Sequence, residues 1–266
     1  MLNPIINNIG GEKMDYLKIQ DISMNFHSKK GITEALTNIN FSVEKSDFIS
    51  IIGPSGCGKS TLLNIIAGLL KPSSGSILYN GKNINNNRNV LGYMFQKDNL
   101  FEWLSVWQNI CLGLKLKKQL TDENIKRLNN LLNVYGLSAF KEHHPSELSG
   151  GMRQRASLIR TLALSPEILL LDEPFSALDY QSRLTVCNDI SQIIKNEKKT
   201  AILVTHDLAE AISTSSKIII LSKRPAVVKK IVNISFDSNL TSLERRDDPK
   251  FSEYFNILWK ELDTND

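Results

Sequence analysis

The chain has 266 residues, 41% of them hydrophobic and 23% charged, an ordinary globular balance that predicts one large domain or one domain with an inserted lobe. The net charge of +4 comes from 32 basic and 28 acidic side chains that are scattered rather than massed, which argues against nucleic acid as the main partner. Cys57, Cys111 and Cys187 show neither CxxC spacing nor an even count, so free thiols in a reducing compartment are expected. No run approaches the roughly 18 apolar residues of a membrane span, and the N-terminus lacks a signal-peptide pattern. A cytoplasmic chain that reaches a membrane only through a partner is the expectation.

Residues 1–15 are rich in Asn and Gly without a period and read as a loose leader, with Met14 a second candidate start. YLKIQDISMNF, ALTNINFSV and DFISIIG come next as strand-like runs, and the last leads straight into a Gly-rich loop. Beyond that loop TLLNIIAGLL is helix-like and is stopped by KPSSG. SGSILYNGKNI and NVLGYMFQ read as strands, with a hairpin turn at Asn80-Gly81.

From about residue 99 to 155 the period becomes helical and predicts an inserted lobe; Ile125, Leu128, Leu131 and Leu132 share one face of its helix. Gly151 to Ala163 reads as helix, EILLLDEP as a strand, Arg183 to Lys195 as helix, TAILVTH as a strand, and a last helix leads into KIIILS. Strands without alternation, separated by helices, predict a parallel sheet covered on both faces. No internal repeat is visible, so one cassette per chain is expected. Residues 236–266 form a C-terminal tail in which Phe251, Phe255, Leu258 and Trp259 predict one apolar helix face that docks on the body.

Gly53-Pro54-Ser55-Gly56-Cys57-Gly58-Lys59-Ser60 fits GxxxxGK[ST] in full, between a strand and a helix, and Thr61 comes directly after it. Such a loop turns successive N–H groups toward phosphate oxygens, and the helix N-terminus adds partial positive charge. Lys59 would meet the β- and γ-phosphates of ATP, and the Ser60 hydroxyl would ligate Mg²⁺. Ile168 to Leu171 is an apolar strand ending in Asp172 and Glu173. Asp172 is expected to hold Mg²⁺ through water, and Glu173 to polarise the water that attacks the γ-phosphate.

Leu148-Ser149-Gly150-Gly151-Met152-Arg153-Gln154-Arg155 resembles the signature motif of ABC ATPases, a second phosphate-binding helix start in the same chain. The resemblance covers about Tyr16 to Lys223. It implies the ABC ATPase fold, a RecA-like parallel or mixed sheet with an antiparallel β subdomain and the helical lobe, over 16–235. In that family each signature (Ser149, Gly150, Gly151) faces the nucleotide on the partner's phosphate loop and each D-loop (Ser176 to Asp179) crosses the dimer interface, so a homodimer closes over two ATPs. The same resemblance puts Phe26 on adenine, Gln96 of the Q-loop on Mg²⁺ and the attacking water, and the switch histidine His206 on the γ-phosphate. Met152 stands where the family often has Gln, and Ser46 where it usually has Gly.

FEWLSVWQNI (Phe101 to Ile110), with Glu102 in place of the usual Pro, and Arg224-Pro225 resemble importers for nitrate, sulfonates, taurine and some thiamine precursors. This resemblance implies the motor subunit of an importer on the cytoplasmic face of the membrane. Its partners would be two transmembrane permease subunits and, indirectly, a solute-binding protein. Phe101 and Trp103 would line the groove for a permease helix. The alternatives are a soluble ABC ATPase of translation or DNA repair, the ATPase half of an efflux pump, and a P-loop kinase or GTPase. Neither a second cassette, a coiled-coil insertion nor an NKxD motif is present to favour them.

Overall fold

A computed structural model describes residues 15–29 and 31–263, so the leader reading lies outside the described residues but for Asp15. Strands β1 (Leu17–Ser28) and β2 (Gly31–Val43) form an antiparallel pair; β1 also pairs with β4 (Ser74–Tyr79), which turns back into β5 (Lys82–Asn83). The turn falls at Asn80 and Gly81, with φ of 46° and 73°, the doubly left-handed geometry that Asn-Gly accommodates.

The second sheet holds β3 (Phe48–Ile52), β6 (Leu91–Met94), β7 (Ile168–Asp172), β8 (Thr200–Val204), β9 (Lys217–Leu221) and β10 (Val228–Asn233). Their order is β10-β9-β3-β8-β7-β6, and all pairs are parallel except β10 with β9 at one edge. Residues such as Ile49, Ile51, Leu169, Leu171, Ile202 and Val204 are fully buried on both faces, which explains their unbroken apolar runs. NVLGYMFQ yields only four strand residues, because Arg88–Val90 close into a 3-10 turn before β6.

Helix α1 (Lys59–Ile66) lies between the two sheets: Leu62, Leu63 and Ile66 share one apolar cluster with Ile19 and Ile39 of the antiparallel sheet and Ile51 of the parallel one. Helices α2 (Val106–Leu116), α3 (Asp122–Val134) and α4 (Gly150–Leu162) build the lobe. Ser105 caps α2 through a reciprocal capping box with Gln108, and Thr121 caps α3 at the Asn124 N–H. Leu128, Leu131 and Leu132 are buried on the predicted face, with Ile125 at its half-buried rim. The lobe's apolar cluster runs on to Ile159 and Ala163, whereas Leu158 and Leu162 pack under the sheet. So α4 belongs to both bodies, and the lobe has no sharp boundary at 155.

Helix α5 (Tyr180–Asn196) begins before the predicted Arg183, since Asp179 caps it by accepting the Ser182 N–H at 3.0 Å. The helix α6 (Leu208–Thr214) connects β8 to β9. Between β2 and β3, Ser46 takes φ 64°, a conformation that explains why Gly is the usual occupant; its N–H donates to Thr200 Oγ1 at 2.9 Å.

The tail helix α7 (Pro249–Asp263) docks on α6, and Leu258 is fully buried beside Ile212, Ile218 and Ile220. Burying one such side chain is worth about 1.5–3 kcal/mol. The docked face differs from the expected one: Tyr254 and Leu262 join Phe251, Phe255 and Leu258, and Trp259 is 55% exposed. Trp259 is one position beyond Leu258, which turns it about 100° around the helix toward solvent.

Candidate nucleotide site

Four site segments leave the C-terminal ends of neighbouring parallel strands: the Gly-rich loop after β3, His206 after β8, Glu173 after β7 and Gln96 after β6. Ligands bind at that end of an open α/β sheet, and the strand order alone makes segments far apart in sequence converge. A cleft of about 530 Å³ opens there, lined by Ser55, Gly56, Gly58, Lys59, Ser60, Thr61, Glu173, His206 and Arg224.

The loop's geometry demands its glycines at two positions in particular. Gly58 has φ 119°, and a Cβ on it would lie 2.8 Å from Leu36 Cδ2; a Cβ on Gly53 would lie 2.9 Å from the Leu221 carbonyl. No side chain caps the N-terminus of α1, so its first N–H groups face the cleft mouth without an internal acceptor from the capping position. Lys59, 7% exposed, donates Nζ to the Gly53 and Pro54 carbonyls at 2.8 and 3.0 Å. Cys57 is buried beneath the loop, where desolvation pushes its thiol up despite Lys59.

Ser60 Oγ donates to Asp172 Oδ1 at 2.9 Å, and the Tyr93 hydroxyl lies 3.1 Å from Asp172 Oδ2. Burial raises the Asp172 carboxyl above its ordinary range, against the hydrogen bonds from Ser60 and Tyr93. Burial, with the Asp172 charge adding to it, raises the Tyr93 phenol too, so that hydroxyl keeps its proton and stays a donor. Glu173 sits at φ 43°, a left-handed conformation costing about 1–3 kcal/mol for a non-glycine residue, and its N–H is tied to the Val204 carbonyl at 2.9 Å. Its Oε2 is 3.2 Å from His206 Nδ1.

Gln96, by contrast, donates Nε2 to Ser176 Oγ at 3.2 Å, and Ser176 Oγ donates to the Glu173 carbonyl at 3.0 Å. The Q-loop side chain thus meets the D-loop and not Asp172. Phe26 is 39% exposed on β1 opposite Thr33, outside the cleft lining.

Ser149, Gly150, Gly151 and Asp179 are also outside that lining. Ser149 caps α4 by accepting the Met152 N–H at 3.3 Å. A Cβ on Gly150 would lie 2.9 Å from Leu178 Cδ2, and one on Gly151 2.7 Å from Val186 Cγ2. The signature glycines therefore let α4 approach the D-loop and α5 closely.

Arg224 is the residue that sequence reasoning left out of the site. From the loop after β9 its Nε and Nη2 both donate to the Gly56 carbonyl, at 3.2 and 2.5 Å. The Arg-Pro pair was legible in the sequence, but its reach to a loop 168 residues away was not.

An α/β sheet with a Walker-type loop, an acidic strand end, a histidine after the next strand and a capped SGG helix start defines an ABC-type ATP-binding cassette. Residues 36–176 match the family model described as ABC transporter. The uncharacterised ABC transporter ATP-binding protein YtlC of Bacillus subtilis is 45% identical over 252 residues, 94% of this chain and 97% of that protein. The aliphatic sulfonates import ATP-binding protein SsuB of Bacillus thuringiensis subsp. konkukian is 41% identical over 228 residues, 85% of this chain and 90% of that protein. Among solved structures, the cassette MJ0796 in a dimeric post-hydrolysis state bound to ADP and Pi matches with TM-score 0.69 and 30% identity, over 83% of this chain and 99% of that one. The chain belongs to the ABC transporter family as an ATP-binding, ATP-hydrolysing subunit.

Proposed function

We propose that this chain is the ATPase subunit of an importer for a small solute of the sulfonate, taurine or nitrate type. It would work as a homodimer on the cytoplasmic face of the membrane, beneath two permease subunits served by a solute-binding protein. Relatives named for aliphatic sulfonates import and taurine import support the solute class. Among the described residues no helix is long and apolar enough to cross a membrane, and in the proposed role the permease subunits would form the channel.

The observation that carries the reading is the division of the phosphate-binding parts. Lys59, Ser60, Glu173 and His206 share one cleft, whereas the helix start at Ser149-Gly150-Gly151 lies outside it. A second copy, antiparallel to the first, would bring its own signature and Asp179 to that cleft and complete the site.

ATP phosphates would lie on the N–H groups of residues 55–61 with Lys59 against the β- and γ-oxygens, and Phe26 would stack on the adenine. Ser60 and Asp172 form a compact set of oxygen donors that fits Mg²⁺, a hard cation that keeps several waters. When bound, the ion neutralises charge on the phosphate oxygens. Glu173, oriented by its left-handed backbone, would accept the proton of the attacking water, and His206 would contact the γ-phosphate. Closure would have to draw Gln96 from Ser176 toward the cation, and that shift would report the state of the permease to the site.

The permease surface we assign is a groove of about 420 Å³ beside the Q-loop, bordered by Phe95, Phe101, Leu116 and Leu164. Trp103, 73% exposed, packs on Phe101 with ring centres 5.0 Å apart. An amphipathic helix end would bury these aromatics.

To test the reading, the Glu173→Gln protein is tagged and recovered from its native membrane with ATP and Mg²⁺. Copurification of a polytopic permease and an ATP-dependent dimer supports it. Recovery of ribosomes or DNA-repair proteins without a permease overturns the transport assignment.

A further inference from the structure

At the base of the parallel sheet, the end of β3 away from the phosphate loop, the C-terminal segment crosses the body and leaves a cavity of about 250 Å³. Phe48, the first residue of β3, and Ile194 of α5 form part of its floor, and the tail residues Leu240, Ser242 and Arg245 form one wall. The charged residues in the lining are Lys195, Lys198, Lys199 and Arg245; every one is a cation and no carboxylate belongs to it.

Arg245 carries the argument. Its Nη1 donates to the Ser213 carbonyl at 3.2 Å and its guanidinium lies 5.4 Å from the Phe236 ring centre. Nε is buried without a hydrogen-bond partner, and among the described residues Arg245 enters no salt bridge. Desolvation lowers its pKa with no acid to oppose it. The side chain is half-buried and the cavity lining offers it no carboxylate, so an anion held in the cavity would supply the missing counter-charge.

The nearby acids are already engaged. Asp47, adjacent to the lining residues Ser46 and Phe48, accepts from Ser216 Oγ at 3.2 Å and pairs with Lys217 at 3.8 Å. Glu244 accepts from the Thr241 N–H and hydroxyl, both at 2.7 Å. Lys195 donates to the Ser238 carbonyl at 2.8 Å, which stitches α5 to the tail at the same wall. The 7% exposed Ser242 adds a hydroxyl.

We propose that this cavity binds a tetrahedral oxyanion, inorganic phosphate or sulfate, through Arg245 and the lysines at 195, 198 and 199. The anion fastens the tail to the base of the sheet. The site shares no residue with the nucleotide cleft, so it stands or falls independently of the proposed transport role.

The test uses the full chain with a saturating non-hydrolysable ATP analogue and Mg²⁺, so that the γ-phosphate position of the cleft is filled as well as the α and β positions. Sodium sulfate and sodium phosphate are titrated separately against sodium chloride at matched ionic strength, with Tm and calorimetric binding as readouts. The expected result is a saturable Tm rise of about 5 °C or more at a hundredfold excess over Kd. The tighter of the two anions identifies the ligand. Arg245→Gln abolishes the response and leaves affinity for the ATP analogue unchanged. The double variant Lys198→Gln, Lys199→Gln, in a surface turn where folding is not at stake, weakens binding about tenfold or more. A linear, unsaturable sulfate effect, a response that vanishes when the ATP analogue is added, or a full response in the double-lysine variant overturns the proposal.

Discussion

Ser60 and Asp172, 112 residues apart in sequence, are joined by a hydrogen bond of 2.9 Å between Ser60 Oγ and Asp172 Oδ1. The bond links the first turn of α1 to the end of β7 and brings together the two oxygen donors proposed for Mg²⁺. Ser60→Ala and Asp172→Asn are each expected to lower Mg²⁺-dependent ATP hydrolysis by about 10² or more, since each removes preorganised charge stabilisation. Steady-state phosphate release across a Mg²⁺ titration checks this. An unchanged rate and Mg²⁺ requirement in either variant would remove that residue from the metal site.

The catalytic base is tested by Glu173→Gln, expected to lower turnover by about 10² to 10⁴ while ATP still binds. Single-turnover hydrolysis and nucleotide binding are measured on the same preparation. Parental turnover would assign the base elsewhere.

Arg224 braces the phosphate loop through the Gly56 carbonyl. Because the guanidinium is exposed, the pair of bonds is worth about 1 kcal/mol. Arg224→Ala should therefore raise KM for ATP about fivefold and leave kcat within about twofold, with Arg224→Lys in between. A KM equal to the parent's in the alanine variant would show that the loop keeps its shape without the brace.

Two effects oppose each other in Gly151→Ala. Alanine favours the helix by up to about 1 kcal/mol, whereas its Cβ would lie 2.7 Å from Val186 Cγ2. Overpacking of that kind costs about 1–3 kcal/mol, so a net loss of about 1 kcal/mol in urea unfolding is expected. The double variant Gly151→Ala, Val186→Ala should regain part of the clash while losing apolar burial.

Glu210, 3% exposed, accepts the Thr205 hydroxyl at 2.6 Å. Burial pushes its carboxyl up to about 7 from an ordinary 4.5; Asp207 adds to the rise, and Arg183, at 4.0 Å, and His206 oppose it. Between those two values the folded chain holds a proton that the unfolded chain has released, so this group makes stability fall as pH rises from about 4.5 to 7. The span corresponds to about 3 kcal/mol at most. Glu210→Gln should flatten this part of the urea-midpoint profile relative to the parent. Parallel profiles would mean that the carboxylate ionises in place without penalty.

The legible part of the site was the part carried by contiguous residues. The phosphate loop, the Asp172-Glu173 pair and the SGG helix start announce themselves because phosphate binding requires particular residue types at fixed spacing. Tyr93, bonded to Asp172, and Arg224, bonded to Gly56, announce nothing, since an aromatic in a strand and an Arg in a loop have many structural uses. The tail face differs from expectation at Trp259 because helical spacing leaves a neighbour on the rim of an apolar stripe, and only docking on α6 decides which side is covered.

By itself the sequence determined the element types, the buried strands and the family, because backbone propensity, apolar periodicity and phosphate-loop chemistry are local properties. What only the tertiary structure decided was adjacency. The order β3-β8-β7-β6 puts the phosphate loop, His206, Glu173 and Gln96 at one end of the sheet and leaves the signature outside the cleft. Gln96 meets Ser176, and Arg245 ends among lysines in a cavity whose lining contains no acid. Contacts of this kind depend on which elements are neighbours in space, and they arise from the collective packing of apolar surfaces that no short segment encodes.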